Sequence, residues 1–147
     1  MTVERIGLDE ANDAPKRAKS VHIGAPACFA LEIACKTLRE AFAETCEVGG
    51  IYIVGSVLDR SDWRDVDVRL MMDDESFSVL FPNAPLQNAA WEHDPRWTVM
   101  TVAISAWLRQ QTGLPVDFQF QPMSWANERH NGPRSAVGLR YVKRGNE

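Results

Sequence analysis

Residues 49–70 of this 147-residue chain, GGIYIVGSVLDRSDWRDVDVRL, hold two short apolar runs separated by a polar loop. The second run carries Asp65 and Asp67, although strands ordinarily avoid Asp. Side chains alternate along a strand, so the two carboxylates point to one face, with Cα atoms about 6.5–7 Å apart. Asp117 opens a later run, PVDFQFQ, with the same polar-out alternation. If the two strands are neighbours, three carboxylates meet on one surface and repel one another. A divalent cation resolves that repulsion, because carboxylate oxygens are the hard ligands that Mg²⁺ or Mn²⁺ takes, usually together with phosphate oxygens and water. Gly55-Ser56 directly follows the first run. A glycine there lets backbone N–H groups approach a phosphate, and the serine hydroxyl adds a donor. Arg69 alternates onto the aspartate face, where it can pair with a carboxylate or with triphosphate.

The elements that must position these residues are legible from periodicity. Residues 1–20 are polar and charged and read as a loosely held N-terminal arm. From Pro26, Ala27, Leu31, Ala34, Leu38, Ala41 and Phe42 recur at helical spacing. Gly49-Gly50 is the expected stop of that helix. Ile51–Val54 reads as a buried strand. Val66–Met72 reads as a second, with Val66, Val68 and Leu70 opposite the aspartates. Asp73 to Ser76 offers acidic N-terminal chemistry for a short helix around Phe77–Phe81. Pro82 to Pro95 is loop-rich. Trp97–Gln111 is apolar almost all round, which predicts a helix buried mid-domain. Residues 115–121 form the third strand, with Val116, Phe118 and Phe120 on its apolar face. After Trp125 the chain turns polar and basic, and about 126–147 is expected to be a solvated C-terminal segment carrying Arg129, Arg134, Arg140, Lys143 and Arg144. About 40 residues separate the second and third strands, ample for a helical crossover. The expected architecture is α/β (α+β), a small mixed sheet flanked by helices, forming a single domain over 21–147.

Composition narrows the function classes. A net charge of −4 argues against coating nucleic acid by bulk electrostatics. The longest apolar runs fall far short of a bilayer span, and no charged-then-apolar leader opens the chain, so the expectation is a cytoplasmic protein without a membrane partner. Cys28, Cys35 and Cys46, an odd set without a CxxC pair, read as free thiols in one helix. His22, His93 and His130 lack metal-ligand spacing. Trp97 and Trp107 read as core, while Trp91 and Trp125 have the alternative of stacking on a base. Trp63 sits in the polar loop just before the aspartates, where packing gives it no evident role.

The ordered set of Val54, Gly55-Ser56, Asp65-Val66-Asp67-Val68 and Asp117 in VDFQF resembles the nucleotidyltransferase superfamily of the polymerase-β type, including its minimal members. The resemblance covers roughly residues 26–121. Stretches such as Asp62-Trp-Arg-Asp-Val-Asp and Gly132-Pro-Arg are similar in flavour to nucleotidyltransferase-like proteins of actinobacterial phages and prophages. The resemblance implies a nucleotidyltransferase-like fold and transfer of a nucleoside monophosphate from an NTP to an acceptor hydroxyl, with release of pyrophosphate. It implies Asp65 and Asp67 bridging two Mg²⁺ or Mn²⁺ ions, Asp117 completing the shell of one of them, and Gly55, Ser56 and Arg69 holding the triphosphate. Two departures stand out. Only eight residues separate Ser56 from Asp65, and no second domain offers an acceptor site, so the acceptor (small molecule, protein or RNA end) stays open. The rival reading is a non-catalytic nucleotide-binding or adaptor protein that keeps the fold. Blander still, the carboxylates are an acidic sheet edge that blocks strand pairing. A calcium loop over Asp59–Asp67 lacks the central glycine and the closing Glu.

Overall fold

The computed structural model describes residues 22–43 and 49–139. The proposed N-terminal arm, Cys46, and the basic residues Arg140, Lys143 and Arg144 lie outside the described residues.

Helix α1 (Ala25–Ala41) starts with Pro26 in its first turn, where a missing N–H costs nothing. It buries Leu31, Ala34 and Leu38 of the expected stripe together with Cys35, whereas Ala41, at its end, is exposed. It ends at Ala41, ahead of Gly49-Gly50. Gly50 instead opens strand β1 (Gly50–Val54). Gly49 is small for another reason: a Cβ there would sit 1.7 Å from the Met71 carbonyl oxygen.

Strand β2 (Val66–Met72) pairs antiparallel with β1 and parallel with β3 (Val116–Pro122). A two-residue strand, β4 (Ser135–Ala136), adds antiparallel to the other side of β1. The sheet is therefore mixed, in the order β3-β2-β1-β4. Pro122 closes β3, which is an edge strand and has no ladder bond to lose on that side.

The crossover from β2 to β3 carries α2 (Asp74–Leu80) and α3 (Pro95–Thr112). The Asp94 carboxylate caps α3 by accepting from the Trp97 N–H at 2.9 Å, worth about 1 kcal/mol. Gly113 ends it in the left-handed conformation at φ 73°. The sequence overstates the burial of this helix. Its inward stripe is Trp97, Thr101, Ser105 and Leu108, whereas Val99 and Val102 are 67% and 61% exposed. Of the two inward hydroxyls, Ser105 Oγ accepts from the Phe118 N–H at 3.0 Å, on strand β3, whereas Thr101 Oγ1 is buried without a partner.

One face of the sheet is the core. Ile51, Ile53, Val66, Val68, Leu70, Val116, Phe118 and Phe120 are each at most 2% exposed. They pack with α1, Phe77, Phe81, Trp91 and Leu108. The rings of Phe118, Phe81 and Phe42 surround Phe120 at centroid distances of 5.0, 5.2 and 5.3 Å. Trp91 lies in the segment read as loop, on a 3₁₀ stretch (Gln87–His93), and is fully buried edge-to-face on Phe77. It is core, not a stacking platform.

The chain after Trp125 departs most from expectation. Helix α4 (Met123–Arg129) lies across the second face of the sheet, where Ala126 is buried with Val54 and Met71. Arg134 fastens the following turn there. Its guanidinium lies 5.2 Å over the Tyr52 ring and donates to Asn127 Oδ1 at 2.8 Å. The segment expected to be solvated is thus anchored to the sheet through Ala126, Ser135 and Val137, while Asn127, Glu128, Arg129 and residues 131–133 are exposed as expected. Its apolar signal was too short, a single Ala126 and later Val137, to show in periodicity.

Candidate functional site

Register builds the site. Asp67 and Asp117 are partners across the parallel β2–β3 pair, and the next row on that face pairs Arg69 with Gln119. Strands lie about 4.8 Å apart, so two like charges stand side by side, an arrangement that destabilises a sheet unless a cation intervenes. Arg69 intervenes. Its Nη2 is 3.7 Å from Asp67 Oδ1 and 3.4 Å from Asp117 Oδ2. Its Nη1 donates to the Asp117 backbone carbonyl at 2.6 Å and to the Val68 carbonyl at 3.2 Å. Arg69 is only 7% exposed. Of the two arrangements the sequence allowed for this side chain, the structure has the carboxylate pairing.

Asp65 lies one residue before β2 and is exposed. It shares an open cleft of about 230 Å³ with Ser56, Arg60, Asp62, Trp63, Arg64 and Asp67. Asp117 does not line this cleft; it is on the same face, at the far side of Asp67. Burial pushes the Asp67 carboxyl above its ordinary range. Arg69 opposes that rise, and the neighbouring Asp117 and Asp65 charges add to it. The like-charge cost expected from three carboxylates is thus present, but desolvation of Asp67 outweighs it.

Gly55 shapes this cleft directly. It adopts φ 88°, and a Cβ built on it would lie 2.5 Å from Asp67 Oδ2. Only glycine permits both the backbone conformation and the approach of the carboxylate. Ser56 then opens a single 3₁₀ turn (Ser56–Leu58) and is exposed at the rim of the cleft. Arg60, whose backbone N–H donates to the Ser56 carbonyl at 2.9 Å, is committed to Asp62 through two 2.9 Å bonds, Nε to Oδ1 and Nη2 to Oδ2, whereas Arg64 lines the cleft beside Asp65. Trp63 has a structural role after all. Its indole N–H donates to the His22 carbonyl at 2.6 Å, tying the start of the described chain to the cleft wall.

The donor chemistry suits a hard divalent cation at Asp65 and Asp67, two carboxylates facing one cleft. It suits a second ion less well. Among the described residues no three His, Cys, Asp or Glu side chains converge as a metal-holding group, and a guanidinium separates Asp67 from Asp117.

Sequence reasoning gave no role to the far end of this face. Beneath α4, Gln121 is 1% exposed, and its Oε1 and the His130 Nε2 are buried without partners. Burial, then Arg69, Arg134 and Arg129, hold the His130 imidazole below its ordinary value. No signal in a single sequence places His130 here, because α4 is set on the sheet by how the chain breaks from β3 at Pro122.

The chain matches no protein-family model, no curated protein and no solved structure. Among the described residues no helix is long and apolar enough to cross a membrane.

Proposed function

We propose that this protein is a divalent-cation-dependent nucleotidyltransferase that moves a nucleoside monophosphate from an NTP to an acceptor hydroxyl. The observation that carries the reading is convergence: Ser56, Asp65 and Asp67 line one cleft, and Asp117 is the register partner of Asp67. Residues scattered over 62 positions of sequence thus share one side of one sheet. Asp65 and Asp67 would hold Mg²⁺ or Mn²⁺. Such an ion, when bound, neutralises charge on the triphosphate and on departing pyrophosphate. The Ser56 hydroxyl and the Arg64 guanidinium bind phosphate oxygens. The cleft is smaller than the roughly 300–1,000 Å³ of sites that enclose a whole small ligand, so it suits a triphosphate tail, with base and sugar lying outside. Asp117, whose side chain is 44% exposed, is reachable by an acceptor and takes the proton from its hydroxyl. The acceptor oxygen forms a bond to the α-phosphorus as the bond to the bridging oxygen breaks, and pyrophosphate leaves. Arg69 orients Asp117 for this step.

Incubation with each NTP, Mg²⁺ and panels of small-molecule, protein and RNA acceptors, reading pyrophosphate release, tests the proposal. Asp65→Ala/Asp67→Ala should fall to background. An equal rate from wild type and double variant overturns it. The grip of Arg69 on Asp117 favours one other reading, a non-catalytic nucleotide-binding adaptor. Calorimetric binding of NTP with Mg²⁺, without turnover on any acceptor, would select the adaptor.

A further inference from the structure

We propose that the acidic face is a one-cation site, in which the Arg69 guanidinium is a built-in replacement for a second metal ion. The inference rests on the cation site at Asp65 and Asp67 described above and goes on to fix its stoichiometry. Three observations carry it.

The first is position. Nη2 of Arg69 lies between Asp67 Oδ1 and Asp117 Oδ2, at 3.7 and 3.4 Å. An ion shared by those two carboxylates needs both oxygens close to about 2.0–2.1 Å for Mg²⁺, which the interposed nitrogen prevents.

The second is anchorage. A surface arginine could swing aside when a metal arrives, but this one is 7% exposed. Its Nη1 donates to two backbone carbonyls, Asp117 at 2.6 Å and Val68 at 3.2 Å. Those carbonyls belong to paired strands and do not rotate away. Displacing the guanidinium would strand a buried charge, a cost of several kcal/mol.

The third is charge. The Arg69 guanidinium between Asp67 and Asp117 already offsets their mutual repulsion, which is the repulsion that a second ion would otherwise relieve. Lysine could not do the same work, because one ammonium cannot reach two carboxylates and a backbone carbonyl in the planar, forked manner of a guanidinium. Arg69 is therefore a positioning residue: it fixes Asp117 and removes the need for a second ion.

The experiment counts ions. Wild-type protein is titrated with Mn²⁺ in the presence of a non-hydrolysable NTP, and free Mn²⁺ is followed by its EPR signal. The expected result is one Mn²⁺ per bound nucleotide, with no exchange-coupled pair signal, and two per nucleotide in Arg69→Gln, with a thermal melt confirming that the variant folds. Two ions in wild type overturn the inference and leave the nucleotidyltransferase reading standing. Failure of wild type to bind Mn²⁺-nucleotide overturns both. A folded Arg69→Gln that stays at one ion also overturns the inference. If Arg69→Gln does not fold, the wild-type count and coupling signal decide alone.

Discussion

Strands β2 and β3 present opposite chemistry on their two faces, and the faces are held by different forces. On the core face, Val68, Leu70, Phe118 and Phe120 are fully buried, and aromatic rings close around Phe120. On the other, Asp67, Arg69, Asp117 and Gln119 form a polar lattice whose charges must be paired. The apolar face tolerates no gap, because packing energy scales with filled volume. The polar face tolerates exposed charge but not a buried charge left unpaired. One sheet thus separates stability from chemistry by nothing more than alternation of side chains.

The comparison breaks most easily on the core side. Phe118→Ala should cost about 3–5 kcal/mol, read as a lower urea midpoint. Asp65→Ala, exposed on the polar side, should stay within about 0.5 kcal/mol of wild type while abolishing pyrophosphate release. If Asp65→Ala unfolds the protein as Phe118→Ala does, the division between faces fails.

Gly55→Ala sits between the two. A side chain at φ 88° is strained by about 1–3 kcal/mol, and its Cβ would strike Asp67 Oδ2. The expected outcome is a moderate fall in the unfolding midpoint together with weakened Mn²⁺ binding. A variant that loses stability but binds Mn²⁺ normally would show that Gly55 shapes the turn without shaping the site.

The smallest effect concerns the covered end of the polar face. His130 is held below its ordinary value, first by burial and then by three arginines, so the unfolded chain takes up its proton at a higher pH than the folded one. His130 therefore costs no stability above about pH 6.5, and the folded state loses ground as pH falls from there through the lower folded-state value. Relative to His130→Gln, wild type should lose Tm across that interval. Parallel melting curves for the two proteins from pH 7.5 to 5 would refute this account of His130.

How much of this was readable beforehand differs by element. Strands β2 and β3 were legible because strict alternation gives each residue a face, and Asp67 and Asp117 fell where it put them. Helix α1 was legible in its stripe but not in its end. Gly49-Gly50 looked like a stop signal, yet Gly49 is explained by its approach to Met71. Helix α3 misled in the other direction: Val99 and Val102 count as apolar in sequence, but geometry turns them outward and Thr101 and Ser105 inward. Helix α4 and strand β4 were illegible, being seven and two residues long, too short for a period to emerge.

Local pattern by itself determined which residues alternate together: the two aspartates and Arg69 on one side of β2, the valines and Leu70 on the other, and a glycine ahead of Ser56. Those follow from backbone geometry within one strand or turn. Pairing between strands is a different matter. That β3 lies parallel beside β2, in the register that sets Asp117 against Asp67, depends on a crossover of more than 40 residues and on the packing of α3 beneath it. That Arg69 grips Asp117, and that Arg134 fastens the turn after α4 to Met71, depend on contacts between residues 48 and 63 positions apart. A single sequence carries no local trace of such distances, because only the buried volume and charge of the assembled sheet select among the ways its strands could meet.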